Sequence, residues 1–238
     1  MKPINTNCNT CENLNCLIKR NLSSEKMQDL ISAKNIIICK KGQQFISEGA
    51  PVSGLYFVLK GKAKVLKTGI NGKEQILRFV DEGEIIGHRG FGVSQTHSVG
   101  AIAIEESVLC NFTIDTLKEM FSRIPEFTYD LMLFYSEELN RSETKIKSLA
   151  QMTVREKVID TLLYINRKFG VNAKGYLDLQ VSRREIADFA GTTNEQVIRT
   201  LSSLKQEDFI ELKGKKIRIN NVDLLKKEIS EHNFFLNS

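Results

Sequence analysis

The sequence predicts an α+β fold in which a β-roll is followed by one long helix and then by a helical domain that ends in a β-hairpin. Three observations support this order. They are β-branched runs punctuated by glycine between Ile36 and Phe112, helically spaced apolar residues between Glu126 and Leu149, and two short helices that begin after Ser182. A chain of 238 residues exceeds the size of about 100 to 200 residues that is typical of one domain, so we expect two domains.

The first half of the chain has the pattern of a many-stranded antiparallel roll. Short β-branched and aromatic runs alternate with turns that contain Gly42, Gly49, Gly54, Gly61, Gly72, Gly83 and Gly87. The dipeptide Asn71-Gly72 separates the runs 62–66 and 75–80, and it strongly favours a β-hairpin because both residues tolerate positive φ angles.

A long helix is predicted from Glu126 to Leu149. At 1.5 Å per residue its roughly 24 residues span about 36 Å, which is long enough for a seam between two subunits. A helix packed inside its own domain is the alternative interpretation. The candidate dimerisation residues are Phe127, Leu131, Phe134, Leu139, Ile146 and Leu149.

The segment from Ser182 to Leu204 predicts a helix-turn-helix. Ser182 stands three residues before Glu185, and Thr192 stands three residues before Glu195, so both helices begin with the pattern of a capping box. Gly191 supplies the tight turn between them. The facing apolar positions are Ile186, Ala187 and Ala190 on the first helix and Val197, Leu201 and Leu204 on the second.

Two short alternating runs follow, within residues 208–219, and they join at Lys213-Gly214-Lys215. This pattern predicts a β-hairpin wing with a basic tip. The whole segment is therefore typical of a winged helix-turn-helix, whose second helix lies in the major groove of DNA.

The start of the second helix carries the residues expected to contact base edges. Glu195 can accept a hydrogen bond from a cytosine amino group, and Arg199 can donate two to guanine. In the alternative interpretation Glu195 only completes a helix cap and Arg199 is a solvated charge. The candidate DNA-binding residues are Ser182, Arg183, Thr193, Asn194, Glu195, Ile198, Arg199, Lys213 and Lys215.

With these residues the chain resembles the Crp/Fnr family of bacterial transcription regulators over nearly its whole length. Glu195 and Arg199 match the glutamate and arginine of the family's recognition helix, and Arg183 matches an arginine that contacts phosphate. Asn194 departs from the arginine or valine usual before the glutamate, so the outer bases of the half-site are not carried over. The resemblance implies a homodimer on double-stranded DNA and an inverted repeat with TGA half-sites. RNA polymerase is a candidate partner, and surface loops such as 67–73 are candidates for that contact.

The resemblance also implies a division of the chain. Residues 1–22 would form a cysteine-containing arm, 23–125 a cyclic-nucleotide-binding-like roll (a double-stranded β-helix), 126–152 the dimerisation helix and 153–238 the winged domain. Gly83-Glu84 matches the ribose contacts of members that bind cyclic AMP, but residues 95–100 lack the arginine that pairs with the cyclic phosphate. A buried phosphate without that partner would cost several kcal/mol, so cyclic AMP is not expected.

The cysteines indicate a different effector. Cys8, Cys11 and Cys16 form a C-x2-C-x4-C pattern in a polar arm, and clustered thiols favour metal or redox chemistry where disulfides are rare. Cys110 is the candidate fourth ligand, whereas Cys39 is expected to be a buried strand residue. Resemblance to the oxygen-sensing Fnr branch implies a [4Fe–4S] cluster on Cys8, Cys11, Cys16 and Cys110. Zinc on the same thiolates, a thiol switch, or a small organic ligand with incidental cysteines are the alternatives.

Composition agrees with a DNA-binding protein without requiring one. The net charge is +5, and residues 183–227 contain ten basic against seven acidic residues. No apolar stretch reaches the 18 residues of a membrane span and no secretion signal is evident, so a cytoplasmic location is expected. A cupin-like metal enzyme would need a histidine-rich triad, whereas His88, His97 and His232 are scattered. We expect no enzymatic activity.

Overall fold

The computed structural model describes residues 6–91 and 95–229, so His232 lies outside the described residues. The chain divides into two compact units, and the boundary falls between Glu137 and Glu138. In the described ranges, no helix combines the length and the apolar character that crossing a membrane requires.

The first unit is built from strands that follow two short helices and precede two longer ones. The helices are α1 (Leu17–Arg20), α2 (Glu25–Leu30), α3 (Ile114–Arg123) and α4 (Pro125–Gln151), the last of which continues into the second unit. The strands are β1 (Asn35–Cys39), β2 (Gln44–Ile46), β3 (Gly54–Lys60), β4 (Ala63–Thr68), β5 (Glu74–Val80), β6 (Ile85–Ile86), β7 (Gly100–Ala103) and β8 (Ser107–Thr113).

The strands form two antiparallel sheets, with the orders β1-β8-β3-β6 and β2-β7-β4-β5. Between the sheets lies a core that includes Val58, Val65, Ala101 and Leu109. The other face of the first sheet packs against the helices, in a second core made of Leu17, Ile18, Met27, Leu55, Phe57, Cys110, Phe112, Leu117, Phe127 and others. Successive residues of β3 and β8 therefore alternate between two buried faces, which explains why both strands are apolar nearly throughout.

The predicted hairpin at Asn71-Gly72 is confirmed. Both residues have left-handed backbone angles, with φ of 59° and 71°. β4 and β5 pair antiparallel on either side, from Ala63 opposite Val80 to Thr68 opposite Glu74.

The second unit contains the predicted winged helix-turn-helix. Its elements are α5 (Val154–Phe169), α6 (Arg183–Ala190), α7 (Asn194–Gln206), β9 (Ile210–Lys213), β10 (Lys216–Ile219) and α8 (Val222–Lys227). The apolar faces of α6 and α7 meet as the spacing predicts, because Ile186, Val197, Leu201 and Leu204 are each at most 1% exposed. The α+β fold class is thus confirmed, with roll, long helix and winged domain in the expected order.

The structure of the long helix α4 shows that two residues of the predicted dimer seam, Phe127 and Leu131, pack inside the subunit. Phe127 is fully buried and Leu131 is 6% exposed, and both belong to the core that α1 and α2 share with the roll. They are therefore not available to a second subunit. The apolar spacing of a helix does not distinguish residues that pack within a subunit from residues that pack between subunits, because both require the same period.

Farther along α4 the apolar side chains are open to solvent. Met132, Leu139 and Ile146 are 59%, 62% and 66% exposed, and they follow one another at seven-residue intervals. Phe134 and Leu149 are half-buried. The exposed residues form a single stripe along the helix, since a seven-residue interval is close to two full turns.

Candidate functional site

The arm and the roll bring the four predicted ligand cysteines together. Cys8, Cys11 and Cys16 line one cavity with Cys110, which β8 directs toward the helices. Apolar side chains, among them Phe57 and Phe112, form much of the remaining wall. Cys39 lies elsewhere, because it is fully buried in the core between the two sheets.

Hydrogen bonds from the chain itself dock the arm. Asn13, between the second and third cysteines, donates from Nδ2 to the carbonyl oxygens of Val58 and Leu59 at 3.3 and 2.9 Å. Lys19 on α1 donates from Nζ to the carbonyl oxygens of Cys8 and Asn9 at 3.2 and 2.8 Å. The Asn13 contacts join the arm to β3, and the Lys19 contacts hold Cys8 and Asn9 of the arm against its own helix α1.

Burial favours the protonated form of two thiols of this cavity, Cys110 and Cys16. It raises the pKa of Cys110 to about 12, with a smaller contribution from Cys8 in the same direction and an opposing one from the Lys34 cation. Burial also raises the pKa of Cys16. Ligation by thiolate would therefore have to displace protons, as is general for cysteine metal sites.

The donor set fits a thiolate-ligated metal group. The described residues that line the cavity include four cysteines and no aspartate or glutamate. Soft sulfur ligands of this kind select zinc or iron–sulfur clusters. Within residues 6–91 and 95–229, no three side chains of histidine, cysteine, aspartate or glutamate are gathered closely enough for a single metal ion. The cysteines surround a cavity and do not converge on one point.

The first helix of the helix-turn-helix begins and ends as predicted. The Ser182 hydroxyl accepts a hydrogen bond from the Glu185 N–H at 3.1 Å, and the Glu185 carboxylate accepts one from the Ser182 N–H at 2.9 Å. This is the expected capping box. Gly191 ends the helix in the left-handed conformation, with φ of 65°.

The second capping box is displaced by one residue from its predicted position. The cap is Thr193 and its partner is Gln196, not Thr192 and Glu195. Thr192 still belongs to the turn, because its N–H donates to the carbonyl oxygen of Ala187. The prediction was wrong because two adjacent threonines both stand three residues before a Glu or Gln, and only the turn geometry distinguishes them.

This shift removes Glu195 from the capping box. Its pKa is lowered by its own backbone N–H, by the Thr193 hydroxyl and by the cations Arg199 and Arg184. Glu195, Ile198 and Arg199 are exposed. The side chains predicted to contact bases thus lie open to solvent on α7, opposite the face that packs on α6. Arg184, which the sequence reasoning did not single out, adds a cation beside Glu195.

Arg183 joins the helix-turn-helix to the wing. Its Nη2 donates to the carbonyl oxygen of Gly214 at 3.0 Å, between the exposed Lys213 and Lys215. Its Nη1 is buried without a hydrogen-bond partner in the described part of the chain, and burial lowers the pKa of the guanidinium. The residue predicted to contact phosphate therefore also fixes the position of the basic wing tip.

Arg155, which the sequence analysis did not single out, anchors the C-terminal end of α7. Its guanidinium on α5 binds the two carboxylate oxygens of Glu207 at 2.9 and 2.7 Å and donates to the Ser203 hydroxyl at 3.1 Å. It also pairs with Glu228 after α8, at 3.1 Å. One planar cation thereby ties three helices together.

Lys145 on α4 packs against the first helix of the helix-turn-helix. Its ammonium lies 3.8 Å from the centroid of the Phe189 ring, which stacks on Tyr164 at 4.9 Å. Burial lowers the pKa of Lys145 to about 8, although Asp160 acts in the opposite direction. The end of the long helix is therefore held to α6 by a cation in an apolar setting.

Comparisons with known proteins agree with this architecture. Residues 37–124 match the family model described as "Cyclic nucleotide-binding domain", and residues 156–228 match "Crp-like helix-turn-helix domain". The chain is 25% identical over 202 residues to the "Anaerobic regulatory protein" of Pasteurella multocida, covering 83% of this chain and 72% of that protein. It is 26% identical over 204 residues to the "Fumarate nitrate reduction regulatory protein" of Klebsiella oxytoca, covering 84% and 80%. The solved structure of FixK2 from Bradyrhizobium japonicum has a TM-score of 0.73 at 25% identity, covering 82% and 96%.

The low pKa of Lys145 predicts a pH dependence of stability. Its pKa falls from 10.5 to about 8 on folding, so between these values the unfolded chain binds more protons than the folded one. The free energy of unfolding should therefore rise with pH across this window. Lys145→Met should lack this rise, which for a pKa difference of this size amounts to about 2 to 3 kcal/mol.

Urea denaturation at a series of pH values measures this difference. Lys205→Met, which removes an exposed lysine of the same unit, is the control and should keep the wild-type rise. If Lys145→Met and wild type have parallel profiles, the burial argument for Lys145 is wrong.

Proposed function

Since the chain belongs to the Crp/Fnr family of transcription regulators, we propose that it regulates transcription. We further propose that it does so in response to oxygen or redox state. The proposed sensor is a [4Fe–4S] cluster held by Cys8, Cys11, Cys16 and Cys110. The observation that carries the proposal is that these four cysteines line one cavity, three from the arm and one from β8. The names of the two relatives, an anaerobic and a fumarate nitrate reduction regulator, support the same sensing class.

The four cysteines would reach the site from the arm, from the start of α1 and from β8. When bound, a [4Fe–4S] cluster would supply redox chemistry tuned by the hydrogen bonds and burial around its sulfur ligands. Cys110 is fixed by β8, whereas Cys8 and Cys11 belong to the arm, and Cys16 is the residue from which α1 begins. Ligation would therefore add a covalent link between the arm and the roll to the hydrogen bonds of Asn13.

The arm also contacts the long helix, and this contact supports the proposal that the state of the cysteine site affects the packing of α4. Asn21, just after α1, donates from Nδ2 to the Asp130 carboxylate on α4 at 2.9 Å. Leu17 and Ile18 of α1 share a core with Phe127 and Leu131 of α4. A change in the docking of the arm would thus alter the packing of α4, and a coupling of a few kcal/mol shifts a two-state population substantially.

The exposed stripe of α4 is the proposed dimer seam, with Met132 added to the predicted Leu139 and Ile146. Members of this family bind DNA and act as dimers, and a two-fold dimer presents its recognition helices about 34 Å apart. We propose that Glu195 and Arg199 then contact bases of a TGA half-site, while Arg183 and the wing lysines contact phosphates. Cyclic AMP is not proposed as effector, because residues 95–100 supply no arginine for its phosphate.

Purification under strict anaerobiosis tests the cluster. The protein should be brown and contain about four iron and four sulfide per chain. Cys110→Ser and Cys11→Ser should each abolish the colour, because each removes a ligand. Cys39→Ser is the matched control and should keep it, because Cys39 lies in the other core. A colourless wild-type protein with stoichiometric zinc would contradict the iron–sulfur proposal.

Ile146→Glu tests the seam. A carboxylate in an apolar interface should shift the protein from dimer to monomer in analytical ultracentrifugation and weaken its binding to DNA. Ile70→Glu is the control, because Ile70 is 89% exposed on the β4–β5 hairpin, away from α4. An unchanged dimer in Ile146→Glu would place Ile146 outside the interface.

Two variants of the winged domain separate base contacts from phosphate contacts. Arg199→Ala should cost about 1 to 3 kcal/mol on the specific site and relax the preference at one base pair. Lys215→Ala should weaken binding to all sequences equally and reduce the salt slope by about one unit. Selection of binding sites from random DNA, with salt titrations, measures both. An unaltered base preference in Arg199→Ala would refute the role of Arg199 in base contact.

A further inference from the structure

Two lysine side chains enclose Cys8, the first cysteine of the arm. Lys34, which lies between α2 and β1, places its Nζ 3.1 Å from the Cys8 sulfur. Lys19 on α1 holds the backbone of the same loop through the carbonyl oxygens of Cys8 and Asn9. The two cations come from separate elements and meet at one ligand.

The charge of a loaded site explains why cations would be needed there. Four thiolates around a zinc ion, or around the oxidised core of a [4Fe–4S] cluster, leave a net charge of about −2. Phe57, Leu59 and Phe112 line the cavity, and such apolar walls solvate an anion poorly. A counter-charge within hydrogen-bond distance of a ligand sulfur offsets that cost.

We propose that Lys34 is the counter-charge of the cysteine site, donating a hydrogen bond to the Cys8 sulfur and so retaining the metal group and raising its reduction potential. This inference rests on the proposed function, since it concerns the loaded site. The Lys34 charge also lowers the pKa of Cys110, so its field reaches ligands from both the arm and the roll. Reduction adds an electron to an anionic group, and a nearby cation makes that addition more favourable.

The test compares Lys34→Met with Lys34→Arg and with Lys41→Met in anaerobically purified protein. Lys34→Met keeps the length of the side chain but removes the charge and the donor, whereas Lys34→Arg keeps both. Lys41→Met is the control, because Lys41 is exposed in the turn after β1. Three quantities are measured: iron and sulfide content, the rate of iron loss to an excess of chelator without oxygen, and the midpoint potential.

Lys34→Met should lose iron about 10- to 100-fold faster than wild type, the effect usual for residues that support metal ligands. Its midpoint potential should be more negative. Lys34→Arg should restore most of both properties, and Lys41→Met should match wild type. A purely structural role for Lys34 would change thermal stability and leave the potential of the residual cluster unaltered.

The outcomes separate this inference from the proposed function. If wild type holds the cluster and Lys34→Met has the same iron-loss rate and potential, the role of Lys34 is overturned while the proposed function stands. If wild type holds zinc, the proposed function fails, and the rate of zinc release to a chelator decides the role of Lys34. If wild type binds neither metal, both proposals are overturned.

Discussion

The packing of one sheet on both of its faces is the constraint on which the first unit of the molecule depends. β3 and β8 contribute alternate side chains to the core between the sheets and to the core beneath the helices. Because the helical side is also apolar, α1, α2, α3 and α4 must cover it to exclude water. The arm, which contains α1, is thereby brought to β8, and Cys110 becomes a neighbour of Cys8, Cys11 and Cys16.

The same core connects the cysteine arm to the long helix. Leu17 and Phe127 belong to one cluster, so helix α1 of the arm and helix α4, which carries the exposed stripe, cannot repack independently. The hydrogen bond from Asn21 to Asp130 adds a directional contact at the same place. Interior packing tolerates few intermediate arrangements, and this property makes such a contact suitable for a switch between two states.

In the winged domain, polar contacts fix the positions of the end of α7 and of the wing turn, which apolar packing does not determine. The apolar faces of α6 and α7 set how these helices cross, while Arg155 holds the end of α7 and Arg183 holds the wing turn at Gly214. Both arginines use carboxylate or carbonyl acceptors with defined directions, so they orient groups that surface burial alone would not orient. Arg155 thereby holds the C-terminal end of α7, and Arg183 holds the turn of the wing.

The sequence by itself determined the local features: the α+β order, the Asn71-Gly72 hairpin and the capped start of α6, because each depends on residues only a few positions apart. It also identified Glu195, Arg199 and the cysteine arm as chemically distinctive. Only the tertiary structure decided which cysteine meets the arm, which apolar residues of α4 stay exposed, and that Lys34 contacts Cys8. These outcomes depend on strand pairing and on packing between distant segments, which a one-dimensional pattern of apolar and polar residues does not encode.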